Sequence, residues 1–273
     1  MSRVLETVRA AAIAARNLAL GGNVAAIALG SPRRMVHYAS ETLFMRRALM
    51  QSRGLPERNV WDALGARRET VIRLADVENE SWPAAQPSYL ADIVNLCRIC
   101  AALQPTTIFE IGTYRGYSTL HLALNAPANA TVYSLDLPKE GVKSAALRTT
   151  IIDDAHIAGA TAAREYAFTG YDEARRIELQ FGDSGAFDYT PYHNRIDVFF
   201  IDGAHSYEYV KSDTLNALKC TRAGGVIAWH DFGRVGINGV SRWLLEMHAA
   251  GWPVLAAPGG SLAYMVVPDR SPA

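Results

Sequence analysis

The chain has 273 residues, 49% apolar and 20% charged, enough to bury one large α/β core or one domain with an appendage. Its 27 basic and 27 acidic residues cancel to a formal net charge of zero, which argues against nucleic-acid binding by phosphate neutralisation. Three cysteines, an odd and sparse set, exclude a disulfide framework and fit a reducing, cytoplasmic setting.

In chain order, the apolar stretch VRAAAIAARNLALGGNVAAIALG (8–30) is interrupted by Arg9 and Arg16 and broken at Gly21-Gly22. It predicts short amphipathic helices, not a stable membrane insertion, and it lacks a signal-peptide layout. Residues 1–85 read as a helical extension, a lid or an oligomer contact, rich in arginine and free of lysine through residue 75. A solvated helix surface explains those arginines better than an anionic partner does.

From residue 86 a regular alternation begins and runs to the C-terminus. It predicts a helix over Ser88–Leu103, the strand TIFEIG, a helix over Tyr117–Leu124 and the strand TVYSLDL. A helical insertion over 143–175 precedes IELQFGD, IDVFFIDG, the helix SYEYVKSDTLNALKCT and GGVIAWHD. A helix over Val240–Ala249 and the short strands PVLAA and LAYMVVP close the chain. Cys97 and Cys100 form a CxxC inside the first of these helices; with no second pair to complete a metal site, they read as core thiols. Compact apolar strands alternating with helices describe an α/β fold, a doubly wound, mostly parallel sheet covered on both faces. Ligands of such sheets sit outside the carboxyl ends of the strands. Glu110, Asp136, Asp183, Asp202 and Asp231 all fall at those ends.

In FEIGTYRGYST, Gly112 and Gly116 flank a turn behind Glu110. The spacing is not the Gly-x-Gly-x-x-Gly of dinucleotide binders, and an acid in the turn would repel a pyrophosphate, so an NAD dehydrogenase is disfavoured. An acid there suits a cationic ligand such as the amino end of S-adenosylmethionine. Asp136, about twenty residues on, can accept from ribose hydroxyls. Asp183 can accept from an adenine amine, with Phe181 or Phe187 over the ring. Each also has a structural account: the glycine turn as plain strand-to-helix geometry, and Asp136 and Asp183 as caps of a turn and a short helix.

These ordered motifs, EIGTYRGYST (110–119), DGAHSYE (202–208) and GGVIAWHD (224–231), resemble those of class I S-adenosylmethionine-dependent methyltransferases. The likeness is nearest to the small O-methyltransferase-like branch, family 24-like, and spans roughly 88–267. It implies a Rossmann-like seven-stranded sheet with an antiparallel last strand, and S-adenosylmethionine as cofactor. Carried over by motif, the cofactor set is Glu110, Gly112, Tyr114, Gly116, Ser118, Asp136, Leu137, Gly182, Asp183, Ser184 and Asp202.

The resemblance also implies chemistry at the ends of the fourth and fifth strands. In metal-dependent relatives these ends hold a magnesium-type ion, here through Asp202 and Asp231. However, His230 stands where a second acid is usual, and imidazole suits magnesium poorly. His205 offers a general base instead, since an unperturbed histidine is poised near neutrality; His205, Asp202 and His230 are the catalytic candidates. Both histidines have structural accounts as well, His205 opening a helix and His230 packed beside Trp229. Residues 143–175 and the N-terminal extension are expected to cover the rim and select the acceptor, with Tyr166, Phe168 and Tyr171 as wall residues and a homo-oligomer contact as the competing account. The expected activity is O-methylation of a small-molecule hydroxyl, a sugar or other natural product. Its rivals are an N-methyltransferase, a metal-dependent relative, and a protein that binds S-adenosylmethionine without catalysis.

Overall fold

In the computed structural model the described residues are 54–66, 69–75, 87–138, 145–150, 153–154, 157, 165–234 and 238–269. The expected N-terminal amphipathic helices, and parts of the expected insertion, lie outside them. Among the described residues the apolar runs form seven strands: β1 (Thr107–Ile111), β2 (Thr131–Asp136), β3 (Ile177–Phe181), β4 (Ile196–Ile201), β5 (Thr221–Trp229), β6 (Leu255–Ala256) and β7 (Ala263–Val266). They make one sheet of order β3-β2-β1-β4-β5-β7-β6. Neighbours from β3 to β5 run parallel, and β7 is antiparallel to both β5 and β6. The expected doubly wound sheet with an antiparallel C-terminal strand is present.

Among the described residues the sheet is accompanied by the helices α1 (Val60–Leu64), α2 (Pro87–Leu103), α3 (Tyr117–Asn125), α4 (Tyr207–Cys220) and α5 (Asn238–Ala249). Every residue of β4 is buried, because a parallel strand covered on both faces sees no water. The period-two alternation of a strand then sorts its side chains. Phe109, Phe199, Ile227 and Met265 join Val210 and Ala217 of α4 and Leu244 and Met247 of α5 in one core. Ile108, Val198, Phe200 and Val226 meet Leu96, Ile99 and Cys100 of α2 and Leu122 of α3 in the other. Cys97, Cys100 and Cys220 are buried free thiols. The start of α4 follows from Ser206, whose hydroxyl accepts the Tyr209 amide at 3.1 Å, the ordinary N-cap bond.

The strand boundaries differ from the sequence reading in a way that matters for the site. The five parallel strands end at Ile111, Asp136, Phe181, Ile201 and Trp229, one or two residues before most of the expected ends, so Gly112, Asp183, Asp202 and Asp231 belong to the loops of the rim. β5 also begins at Thr221 rather than at the Gly224-Gly225 pair, since Thr221 already pairs with Ile196 of β4. Strand order reverses between β1 and β4, where one crossover leads outward to β2 and β3 and the other to β5. Such a switch point opens a crevice at the carboxyl ends of the two strands. None of the helices among the described residues is long and apolar enough to cross a membrane.

Candidate active site

The switch point is built tightly. The Asp202 amide donates to the Ile111 carbonyl (2.9 Å), and the Gly112 amide to the Leu135 carbonyl (2.8 Å), so the first residues beyond β1 and β4 remain in register. Gly112 has φ +99°, and a Cβ there would stand 2.1 Å from the Asp202 carbonyl oxygen; this position needs glycine for the close approach of two backbones. Gly116 also has a positive φ, and Phe168 fills the place of its missing Cβ at 2.5 Å. Both glycines are therefore used by the protein's own packing.

Glu110 lies below the rim, fully buried on the α3 side of β1. Its Oε2 accepts from the hydroxyls of Thr119 (2.5 Å) and Ser134 (2.6 Å). Its Oε1 is buried and accepts no hydrogen bond among the described residues. Burial pushes the carboxyl up to about 7 against the pull of the Ser118, Ser134 and Thr119 hydroxyls, and the charge of Asp202 adds to the rise. A buried acceptor without a donor is costly.

Asp136 caps β2 at the same rim. Its Oδ2 accepts from the Tyr114 amide (2.8 Å) and its Oδ1 from the Leu137 amide (2.9 Å). Burial raises its pKa despite those two bonds. Tyr114 itself is 62% exposed with φ +47°, held over the β1–α3 turn by this carboxylate. Asp183 is differently occupied. The Tyr209 hydroxyl reaches both of its oxygens (2.8 Å each), the Gly185 amide donates to Oδ1 (2.9 Å) and the Ala146 amide to Oδ2 (2.7 Å). Most of its acceptor capacity is spent on the turn through Gly182 and Ser184 and on residues 145–150. Of the two rings expected near it, Phe187 packs on Phe109 and Tyr189 in the core, while Phe181 stands 49% exposed at the end of β3.

Asp202, His205, His230 and Asp231 do come together, in one charge cluster. His205 Nδ1 lies 2.7 Å from Asp153 Oδ1, and Nε2 lies 3.0 Å from Asp231 Oδ2. His230 Nδ1 stands 3.0 Å from Asp202 Oδ1 and 3.3 Å from Asp231 Oδ1, with Asp92 Oδ2 at 3.2 Å from Nε2. Arg234 Nε lies 2.7 Å from Asp231 Oδ1, and its guanidinium covers the Tyr89 ring at 4.1 Å. Burial works to lower the His205 pKa, but the Asp153 and Asp231 carboxylates override it and push it up to about 10. His230 is likewise held well above its ordinary value by Asp202, Asp92 and Asp231 against burial. For Asp231, burial is outweighed by His205, His230 and Arg234, and its carboxyl falls far below the usual range. Both ring nitrogens of His205 thus face carboxylates, which favour its protonated form.

Asp202, His205 and Asp231 each present a donor atom, and these atoms lie within 4.8 Å of one another. Asp202 is the most open of the three, with its side chain 27% exposed. A cavity of about 10 Å³ lies beside Asp202 and His205, lined also by Gly203, His230 and apolar residues of β4, β5, α4 and α5. That is room for roughly one water-sized sphere.

Three contributors escaped the sequence reading. Asp153, from the 143–175 stretch, accepts from the His205 amide (3.0 Å) as well as facing its ring. Asp92, on α2, accepts from the Ser261 amide (2.7 Å), the Ser261 hydroxyl (2.9 Å) and the Leu262 amide (2.9 Å) besides facing His230. Asp213, on α4, is fully buried, and burial pushes it up to about 7, with Ser184 pulling the other way and Asp183 adding to the rise. A lone acid on an otherwise apolar helix face was the available signal for Asp92; Asp153 had none. Of the expected wall residues, Phe168 is buried against Leu120 and Leu124, Tyr166 stacks on it with ring centres 4.9 Å apart, and Tyr171 is 39% exposed.

A family model described as a methyltransferase domain matches residues 109–232. Among solved structures, the O-methyltransferase NovP is similar over 68% of this chain and 84% of its own, at 16% identity and a TM-score of 0.50. The O-methyltransferase TomG from Streptomyces achromogenes, solved in complex with SAM, is covered over 95% of its length by 81% of this chain, at 19% identity and a TM-score of 0.44. An O-methyltransferase from Bacillus cereus, in complex with SAH, aligns over 68% of this chain and 84% of its own, at 19% identity and a TM-score of 0.44. No curated protein matches the chain.

Proposed function

We propose, from the match of residues 109–232 to a methyltransferase-domain model, that the protein transfers the methyl group of S-adenosylmethionine to a hydroxyl oxygen of a small molecule. The observation that supports the reading is the set of acids, Glu110, Asp136 and Asp202, at the adjoining carboxyl ends of β1, β2 and β4 around the switch point. Among them Glu110 Oε1 is buried without a hydrogen-bond donor among the described residues, and Asp136 ends β2.

The residues fit a sulfonium nucleoside. Glu110 would receive the cationic amino end, which would lower its pKa from about 7. Asp136 would accept from the ribose hydroxyls, and Tyr114 and Leu137, whose amides hold that carboxylate, would frame the sugar. Asp183 would shape the Gly182–Ser184 turn beside the base, since its oxygens already serve Tyr209, Ala146 and Gly185; exposed Phe181 is the available ring cover. S-adenosylmethionine supplies a methyl group already activated for displacement, so the protein's part is to align the acceptor and exclude water, which is worth up to about 7–11 kcal/mol.

On the acceptor side we assign Asp202, His205 and Asp231 to the hydroxyl. His205, fixed between carboxylates, is a poor proton acceptor at neutral pH, so we read it as holding charge and geometry and not as a free base. The Asp202 and Asp231 carboxylates would suit a divalent ion, which would supply Lewis acidity that eases loss of the hydroxyl proton. Asp202, as the more open carboxylate, faces the side from which an acceptor would enter.

The test is calorimetric titration of the full chain with S-adenosylmethionine, followed by S-adenosylhomocysteine release over a panel of hydroxylated small molecules. Binding that weakens at least tenfold in Asp136→Ala, with turnover on at least one hydroxyl acceptor, is expected. No binding of the nucleoside would overturn the reading. Binding with no turnover on any acceptor would leave a non-catalytic binding protein in its place.

A further inference from the structure

We infer that His121 is a proton-sensitive latch: its neutral ring fastens the strap of residues 69–75 to α3, and a second proton on the ring releases that strap. The residues involved lie outside the charge cluster of the rim, and nothing in the latch depends on methyl transfer.

Two side chains of α3, four residues apart and so on one face of the helix, hold the strap. Asn125 takes both backbone groups of Arg73, accepting its amide at Oδ1 (2.7 Å) and donating from Nδ2 to its carbonyl (2.9 Å). His121 takes the next link, with Nε2 3.2 Å from the Ala75 amide nitrogen. The other ring nitrogen, Nδ1, lies 2.8 Å from the Tyr117 carbonyl. An amide N–H can only donate and a carbonyl can only accept, so Nε2 is bare and Nδ1 bears the hydrogen. The ring is therefore neutral and satisfied at both nitrogens. A proton added to Nε2 would set one N–H against another. His121 is fully buried, so that conflict is relieved when the strap moves off and opens Nε2 to water.

The surroundings give an imidazolium no counter-charge. Among the described residues no carboxylate stands at ion-pair distance from His121, whereas His205 and His230 each face at least two. Burial holds the His121 pKa below the ordinary imidazole value, against the pull of the Tyr117 carbonyl. The neighbouring groups are engaged elsewhere. Arg73 on the strap pairs with Glu173 of the 172–176 turn at 3.2 Å, and Arg176 of that turn donates to the Ala123 and Pro127 carbonyls. Cys97 of α2 directs its thiol to the Arg73 carbonyl, and burial pushes it up to about 12. The Tyr117 ring stacks on His121 with centres 5.5 Å apart, and Glu69, at the start of the strap, is exposed. Release would be felt at the rim. Ala75 packs with Leu120, Leu124 and Phe168, and Phe168 fills the place of the Cβ missing from Gly116, so the strap ends one side chain away from the β1–α3 turn.

The experiment reads the strap itself in the full chain. Val71 is 78% exposed and the native cysteines are buried, so Val71→Cys takes a nitroxide label selectively. Its spin-resonance spectrum is followed from about pH 8 to about pH 5, with far-ultraviolet dichroism as the check on folding. The label should pass from a restricted to a mobile form, with a midpoint below about 6.5. Glu110 and Asp213, raised to about 7, titrate in the same window, and substitutions at position 121 separate them from the latch. His121→Gln keeps an acceptor for the Ala75 amide and takes no proton, so its label should stay restricted throughout. His121→Leu offers no acceptor, and its label should already be mobile at about pH 8. An unchanged spectrum in the folded parent overturns the latch, and this arm needs neither variant to fold. The parent's pH response repeated in His121→Gln overturns the role of His121, as does a restricted label in folded His121→Leu. No nucleoside or acceptor is present, so the outcome is independent of whether the chain binds either.

Discussion

Gly112 shows how one residue can satisfy two demands. Its φ of +99° is a conformation that side chains rarely adopt, and the space for a Cβ is taken by the Asp202 carbonyl. Substitution must therefore strain the backbone and also part β1 from β4 at the rim. We expect Gly112→Ala to cost more than about 3 kcal/mol, read by urea unfolding. Gly182→Ala is the contrast: the nearest atom to its added Cβ is a Phe187 ring carbon at 3.4 Å, an ordinary contact, and its cost should be within about 1 kcal/mol. Equal costs for the two would refute the account of Gly112. The sequence supports glycine at 112, but for a different reason, since a Gly-rich turn suggests a ligand's approach and gives no sign that a backbone 90 residues away fills the gap. The same blindness applies to the charge cluster. Asp202, His205, His230 and Asp231 are readable because they lie within short motifs, whereas Asp153 and Asp92 meet their histidines across 52 and 138 residues, with no local spacing to betray them.

Among the elements, α2 does more than cover the sheet. It carries Asp92 to the β6–β7 turn, where one carboxylate satisfies two amides, one hydroxyl and the His230 ring. Asp92 is 3% exposed, so removing it strands several buried donors and one buried cation. Breaking a buried pair in this way typically costs about 3–5 kcal/mol, and Asp92→Ala should lose stability on that scale in chemical denaturation. A loss below 1 kcal/mol would mean that water replaces the carboxylate and that α2 is not the clamp. The helix itself was readable from its apolar period, as were all five parallel strands. The start of β5 was not, because Thr221 reads as the end of the helix before it, whereas in space it pairs with Ile196 of β4. Strand ends were overrun for a related reason: hydrophobic continuity carries a strand forward on paper, while in space the chain leaves the sheet once it has no neighbour to pair with.

At the scale of the whole molecule, the buried acids set how stability responds to pH. Asp153, Asp197 and Asp231 titrate below the ordinary carboxylate range, because paired charges and hydrogen bonds outweigh burial. Their contribution is present above the unfolded pKa near 4 and is lost as pH falls below it. Asp213 and Glu110 act in the opposite sense. Burial raises both to about 7, so between pH 4 and 7 the folded chain holds protons that the unfolded chain has released, and stability falls as pH rises. His205, raised to about 10 by Asp153 and Asp231 against burial, adds stability that is complete below its unfolded value near 6.5 and disappears as pH climbs through 10. Buried His121, whose pKa is lowered by burial against the Tyr117 bond, works against this trend near pH 6. Each fully displaced proton is worth about 1.4 kcal/mol per pH unit, so the two raised acids dominate the slope between pH 5 and 7. Asp213 is the cleaner probe, since it lies outside the cluster of rim charges. Asparagine has the shape of the protonated acid and cannot ionise. Asp213→Asn should therefore match the parent near pH 4 and exceed it at pH 8 by a few kcal/mol, measured as urea midpoints at one-unit steps. Parallel lines for the two proteins across that range would show that Asp213 keeps its charge in the fold, and that some donor within α4 or the Ser184 turn compensates it. A crossing with the opposite sign, the variant weaker at pH 8, would mean that the charged carboxylate itself is what the surrounding hydroxyls are built to hold.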